Sequence, residues 1–257
     1  MKDWTFDIFV EVLKSFKNKS YQVSTFKEYV ENTSSSPKQL ILRHDVDRFP
    51  NQTLQMAIRE AEGGFNATYY FRIIPSVFRP EIIRKVVGLG HEIGYHYEDL
   101  SICKGDIEKS IEHFKRGLEK LRKYYPVKTI CMHGSPLSKW DNKTLWNHYD
   151  YREFGIIADT SFDIDYNRVF YITDNGMGWN RTSVSVRDKV ETKFNIPIEN
   201  SQHLIELVKS GKLPDQVMIN AHPDTFFDPG FKWFLNSLFI KSKNVIKRQI
   251  VKYRIFK

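Results

Sequence analysis

The segment Leu42-Arg43-His44-Asp45-Val46-Asp47 sets two carboxylates two residues apart at the end of an apolar run. In an extended strand that spacing turns both to one side of the pleat. Like charges so close raise one pKa, unless a cation lies between them or one group works as a base. The same residues also fit a strand-end turn in which Asp47 caps the next helix. A second segment, Gly90-His91-Glu92-Ile93-Gly94-Tyr95-His96-Tyr97-Glu98-Asp99-Leu100, places His96 and Glu98 on one strand face. They offer a nitrogen and an oxygen donor suited to a borderline metal. His91, at the start of that strand, reads as structural. In Val217-Met218-Ile219-Asn220-Ala221-His222-Pro223 an apolar strand ends in His-Pro. The proline fixes the chain just after His222, which suits a rigidly held general acid; a histidine that only caps a buried strand fits as well. Met132-His133-Gly134-Ser135-Pro136 and the stretch from Tyr171 through Asp174 to Trp179 follow two further apolar runs. Such loops suit hydroxyl recognition and aromatic stacking, or are ordinary connections. His113, His148 and His203 read as solvated.

These groups must be carried by an ordered set of elements. Trp4, Phe6, Phe9, Val10 and Leu13 predict an amphipathic N-terminal helix. Short apolar runs then follow at 40–42, 67–71, 92–95, 129–132, 154–158, 169–172 and 217–219. Helical patterns near 51–62, 80–88, 106–123, 139–149 and 201–210 separate them, the clearest being 106–123 with Asp106 as N-cap. Apolar strands alternating with helices predict a mainly parallel sheet covered by helices. Nearly every run ends in a group able to ligate or move protons: Asp45 and Asp47, Arg72, His96 and Glu98, His133, Asp159, Asp174, His222. In barrels the active site is built at that end from several strands. The expectation is therefore an enzyme of α/β class, an irregular seven-stranded (β/α) barrel forming a single domain over 38–230. Residues 1–37 form a helical preface packed on it, and 231–257 a basic amphipathic helix or tail.

Composition bounds the alternatives. With 257 residues, 41% of them hydrophobic, the chain can bury a sizeable core. Two cysteines, Cys103 and Cys131, have no CxxC spacing and predict neither a disulfide framework nor a thiolate zinc site. The net charge of +8 is confined to 231–257, which hold eight Lys/Arg and no acid; 1–230 are balanced at 31 bases against 31 acids. A basic groove for nucleic acid is thus not expected. The tail instead suggests an anionic membrane surface as partner, with Phe231, Phe234, Leu235 and Leu238 as one apolar stripe and Ile246 and Ile250 as a second; a last barrel helix with a solvated basic face is the alternative. With no apolar run of 18 residues and no apolar leader, the expected location is cytoplasmic, peripheral to the inner face of the membrane.

The order of an Asp-rich strand end, Ala67-Thr68-Tyr69-Tyr70-Phe71, Gly90-His91-Glu92-Ile93-Gly94 with His96, and a His-Pro strand end resembles the polysaccharide deacetylases of the NodB-homology (carbohydrate esterase family 4) type across residues 38–225. The resemblance implies a metal-dependent hydrolase that removes an N-acyl group, acetyl above all, from a sugar or glycan precursor. It implies Asp45 as catalytic base, Asp47 and His96 as metal ligands and His222 as general acid. The divalent ion would be zinc, with nickel or cobalt as the other choices. Two features depart from the pattern. Leu100 stands where the family has a second histidine, and His133-Gly134-Ser135-Pro136 replaces its Arg-Pro motif. Glu98 or His133 is then the expected third ligand, and Arg72, Ser135, Asp174 and Trp179 the expected substrate contacts. A non-hydrolytic carbohydrate-binding protein with a degenerate metal site is the competing reading.

Overall fold

A computed structural model describes residues 2–31, 36–180 and 190–255, with side chains described to residue 245 and at Gln249. The chain opens with α1 (Phe6–Asn18), capped by the Thr5 hydroxyl, which accepts from the Ile8 N–H. β1 (Gln22–Ser24) and α2 (Phe26–Val30) follow, the latter started by a capping box between Thr25 and Glu28. The alternating part runs β2 (Gln39–Val46), α3 (Pro50–Glu62), β3 (Thr68–Phe71), α4 (Pro80–Gly88), β4 (Glu92–Tyr97), α5 (Asp99–Ile102) and α6 (Ile107–Arg122). It continues through β5 (Thr129–Met132), β6 (Ala158–Asp159), β7 (Phe170–Thr173), α7 (Ser201–Lys209), β8 (Gln216–Asn220) and α8 (Phe231–Ile255).

Among the described residues every pairing between these strands is parallel, in the order β6-β5-β4-β3-β2-β8-β7. Because β2 pairs with both β3 and β8, the first and last strands of the series meet and the sheet curls. Among the described residues β6 and β7 do not pair, so the barrel stays open there. This is the α/β, irregular (β/α) barrel type expected. β1 adds to the N-terminal half of β2, Gln22–Ser24 against Gln39–Ile41.

Strand alternation sorts the side chains into two layers. Leu40, Leu42 and Val46 of β2, Tyr69 and Phe71 of β3, Tyr95 and Tyr97 of β4 and Ile219 of β8 pack outward in the main core with the helices. Ile41, Tyr70, Cys131, Ala158, Tyr171 and Met218 point inward, and Phe26 of α2 joins this inner cluster. Toward the end where the strands start, Glu92 is held by the Thr68 and Thr129 hydroxyls and the Lys27 N–H. Toward the other end the inward positions become polar.

Helix α6 begins at Asp106 as expected, the carboxylate accepting from the Lys109 N–H. Two expected elements differ. The helical pattern near 139–149 is a short 3-10 helix, Asn142–Asn147, because Asn142 spends its side chain on the Ser101 N–H and the His133 carbonyl. The apolar run at 154–158 yields only two strand residues, since Tyr151–Phe154 form a 3-10 turn closed by Gly155 at φ +70°.

The basic C-terminal segment is helical, and its first half is fastened to the body. The Trp233 indole donates to the Asp3 carbonyl, Asn236 to the Asp224 carbonyl, and Asn244 to the Gly176 carbonyl. Gly176 is left-handed, and a Cβ there would lie 2.2 Å from the Asn244 side chain, so α8 sits directly on that turn. The side chains of Ile246 and Ile250 lie outside the described ones. No described helix is long and apolar enough to cross a membrane.

Candidate metal centre

The inward parity of β2, continued past its end, carries Asp45 and Asp47; that of β4 carries His96; and the residue after β5 is His133. Asp47 Oδ1 lies 3.4 Å from His96 Nε2 and 3.5 Å from His133 Nε2. It is buried and has no hydrogen-bond partner. The two imidazoles meet edge to face with centroids 5.1 Å apart. Each has its other nitrogen engaged: His96 Nδ1 donates to the Cys131 carbonyl (3.0 Å), and His133 Nδ1 lies 2.9 Å from Glu98 Oε2. Both Nε2 atoms are therefore aimed at the Asp47 oxygen, and a metal ion entering between them would displace their protons and take the lone pairs, the arrangement that metal-binding histidines use. Asp47 does not cap α3, whose start at Phe49 has no side-chain cap.

A second group within ligand reach, Asp45, His96 and Cys131, shares His96 with the first. Its space already holds a cation. The Arg43 guanidinium donates to Cys131 Sγ (2.7 Å), Thr160 (3.0 Å) and the Tyr171 hydroxyl (3.0 Å), and lies 3.5 Å from Asp45 Oδ2. A divalent ion there would face that fixed charge, so Asp47, His96 and His133 are the better donor set.

Asp45 is held at one oxygen, which accepts from Asn220 Nδ2 (2.9 Å), while Oδ1 is buried without a partner. Burial pushes its carboxyl up, but Arg43, His96 and His222 together hold it below the usual carboxylate range. Asp47 is driven well below that range against the same burial, by His133 and then the His96 and His222 charges. His222 follows β8, with Nε2 4.0 Å from Asp45 Oδ2 and Nδ1 2.5 Å from Asp174 Oδ1. Burial alone would lower its pKa; the Asp174 carboxylate, with Asp47 and Asp45 behind it, pushes it up to about 10. A cavity of ≈ 620 Å³ opens over this array. Tyr166, Tyr171, Asn167, Asn175 and Lys143 line it, with Lys243 and Asn244 of α8 at its wall.

The other expected site residues fall elsewhere. Glu98, one of the two candidates for third ligand, instead orients His133 and is clamped by Arg72 through Nε (2.6 Å) and Nη2 (2.8 Å). Arg72 is thus spent on Glu98 and is not among the cavity-lining residues. The Ser135 hydroxyl lies 3.0 Å from His133 Nδ1 and donates to Glu98, on a backbone bent to φ +38°. Asp174 touches the cavity chiefly through His222, whose N–H and ring it accepts from. Trp179 is 3% exposed, packed on Trp4 at 5.1 Å with its indole donating to Ser201, because the Asp174–Trp179 bridge folds it back toward α1. It packs into the core and is not among the residues that line this cavity. Leu100 is buried in α5. Asp159, another strand-end acid, accepts from Tyr97 and Ser161, and burial pushes its carboxyl up to about 6. His113 is half-buried against Asp99 rather than solvated.

Arg43, Asn220, Cys131 and Tyr171 belong to the site and had no role assigned from sequence. The signal was there for two of them: Arg43 and Asn220 are strongly polar at inward positions of otherwise apolar strands, where an unpaired group is costly.

No family model matches the chain. Over 136 residues it is 27% identical to a peptidyl-tRNA hydrolase of Hydrogenobaculum sp. (strain Y04AAS1), covering 49% of this chain and 69% of that protein. Among solved structures it is similar to the peptidoglycan deacetylase PdaC of Bacillus subtilis, with 12% identity and a TM-score of 0.36 over 83% of this chain and 98% of that one. Both likenesses are coarse, and the fold stands on the strand order instead.

Proposed function

We propose that this protein is a metal-dependent hydrolase that removes an N-acyl group, acetyl above all, from a sugar or glycan precursor. One observation carries the reading. Two buried carboxylate oxygens have no hydrogen-bond partner, Asp47 Oδ1, which faces the His96 and His133 imidazoles, and Asp45 Oδ1, and both residues line one cavity with His222 at the C-terminal end of the strands. Asp47, His96 and His133 would hold a divalent ion, zinc before nickel or cobalt given two nitrogens and one oxygen. Such an ion lowers the pKa of a bound water and polarises an acyl carbonyl.

The chain's own groups supply the proton transfers. Asp45 stays ionised at neutral pH and its free Oδ1 accepts the proton of the attacking water. Asn220 and Arg43 fix the other oxygen, so the acceptor does not swing away. His222, charged because of Asp174, donates its Nε2 proton to the departing amine nitrogen as the C–N bond breaks. Tyr166, Tyr171 and the amides of Asn167 and Asn175 supply the stacking faces and hydroxyl partners that a sugar ring requires.

Acetate release from N-acetylated oligosaccharides by zinc-loaded protein tests this. Asp45→Asn and His222→Ala should each lower the rate by about a hundredfold or more. Unchanged rates in both would overturn the assignment. Protein that binds such oligosaccharides with neither bound metal nor acetate release would favour the non-hydrolytic reading.

A further inference from the structure

Ten large apolar side chains are exposed among the described residues: Phe49, Ile102, Leu137, Phe162, Phe231, Phe234, Leu235, Leu238, Phe239 and Val245. Their distribution is one-sided. The first four follow the C-terminal ends of β2, β4, β5 and β6, on the face where the cavity opens. The other six lie on α8, whose opposite side supplies Ile240, Lys243 and Asn244 to the cavity wall. The helix is thus fixed to the body by its polar side, and shows Phe231, Phe234, Leu235 and Leu238 to solvent at 74%, 51%, 48% and 46%. An aliphatic and aromatic stripe of that spacing is ordinarily the buried side of a surface helix.

The two groups are joined. Phe49 comes two residues after Asp47, in the left-handed region at φ 50°, and is 42% exposed. The Arg48 guanidinium bridges its ring, at 5.1 Å, to that of Phe239 on α8, at 5.5 Å. Lys243 lies 5.5 Å from the same Phe239 ring. Charge then selects the occupant. Residues 231–257 carry eight Lys/Arg and no acid, whereas 1–230 are balanced. A bilayer with anionic headgroups matches both the apolar stripe and the cations Lys232, Lys241 and Lys243 carried on the same helix.

We propose that α8 and the strand-end loops form a docking surface for an anionic lipid bilayer, which holds the cavity mouth at the headgroups. Resting on the deacylation reading, the substrate class becomes an N-acylated sugar carried on a lipid; the docking itself does not depend on that chemistry.

Flotation of the full-length protein with vesicles tests it. One set is phosphatidylcholine alone; the other is phosphatidylcholine and phosphatidylglycerol in a ratio of about two to one. The protein should float with the anionic vesicles, not with the neutral ones, and less as salt is raised. Phe234→Ser with Leu238→Ser should abolish flotation while circular dichroism stays unchanged. Lys232→Gln and Lys241→Gln, which spare the apolar stripe, should each weaken binding about fivefold. Asp47→Ala, which removes the proposed metal ligand, should float like the parent, so failure of the chemistry and failure of docking are told apart. Absence of flotation with anionic vesicles, or equal flotation of the stripe and lysine variants, would overturn the proposal. So would sedimentation showing that the stripe variants only dissociate a dimer.

Discussion

At the scale of single residues, the proposed centre depends on groups that never touch the ion. Glu98 holds His133 in one tautomer, and Arg72 holds Glu98. Glu98→Gln should therefore weaken zinc binding by about 10- to 100-fold, measured by competition with a chelating dye; unaltered affinity would show that His133 needs no such partner. The Asp174–His222 pair gives a second expectation. His222 must be protonated to act, and its pKa is pushed up to about 10 by Asp174. The rate should persist into alkaline solution and fall as pH rises through that region. Removing the carboxylate removes the cause of the upward shift, so in Asp174→Asn the alkaline limb should move toward lower pH. A pH–rate profile of kcat/KM that keeps its alkaline limb in place would exclude His222 as the titrating acid.

At the scale of elements, β4 shows how packing and site are joined. It must lie close to β3 and β5 while turning His96 inward, and Gly94 makes that possible. A Cβ at Gly94 would meet the Tyr70 ring at 2.3 Å and the Thr129 carbonyl oxygen at 3.1 Å. Tyr70 is fully buried in the inner layer and cannot yield without shifting its neighbours. Gly94→Ala should cost about 1–3 kcal/mol in denaturant unfolding and displace His96. Gly88→Ala, where a Cβ meets nothing within 4 Å, is the matched control and should be neutral or slightly stabilising. Equal midpoints for the two variants would show that the close approach of β3 and β4 is not tightly fixed.

At the scale of the whole molecule, the three proposed ligands come from the ends of β2, β4 and β5 and the proposed acid from the end of β8. An ion held between the first three would tie together strands far apart in sequence. Zinc at a hundred times its Kd should stabilise the fold by about 2.7 kcal/mol, raising Tm by roughly 5–10 °C for a chain of this size. Chelation should remove that increment in the parent. Asp47→Ala should show no such increment, and a metal-dependent Tm that survived in this variant would place the ion elsewhere.

Much of this was written in local spacing. The parallel α/β architecture, the Asp106 cap and the polar strand ends follow from period-two and period-3.6 patterns that each segment carries within itself. The same parity put Asp45 with Asp47, and His96 with Glu98, on common faces. What spacing cannot hold is the distance between strands. Glu98 and His133 were equal candidates in sequence; strand pairing, with the His133 N–H bonded to the Tyr97 carbonyl, set the imidazole at Asp47 and left Glu98 to orient it. Trp179 looked like a stacking platform until the hairpin it closes turned it into the core. Arg43, inside an apolar run, gained meaning only when barrel curvature brought Cys131, Tyr171 and Asp45 around it. Local order determined which residues could do chemistry, because side-chain direction is a property of the strand. Tertiary closure decided which of them meet, because that depends on strand order and curvature, to which no single segment has access.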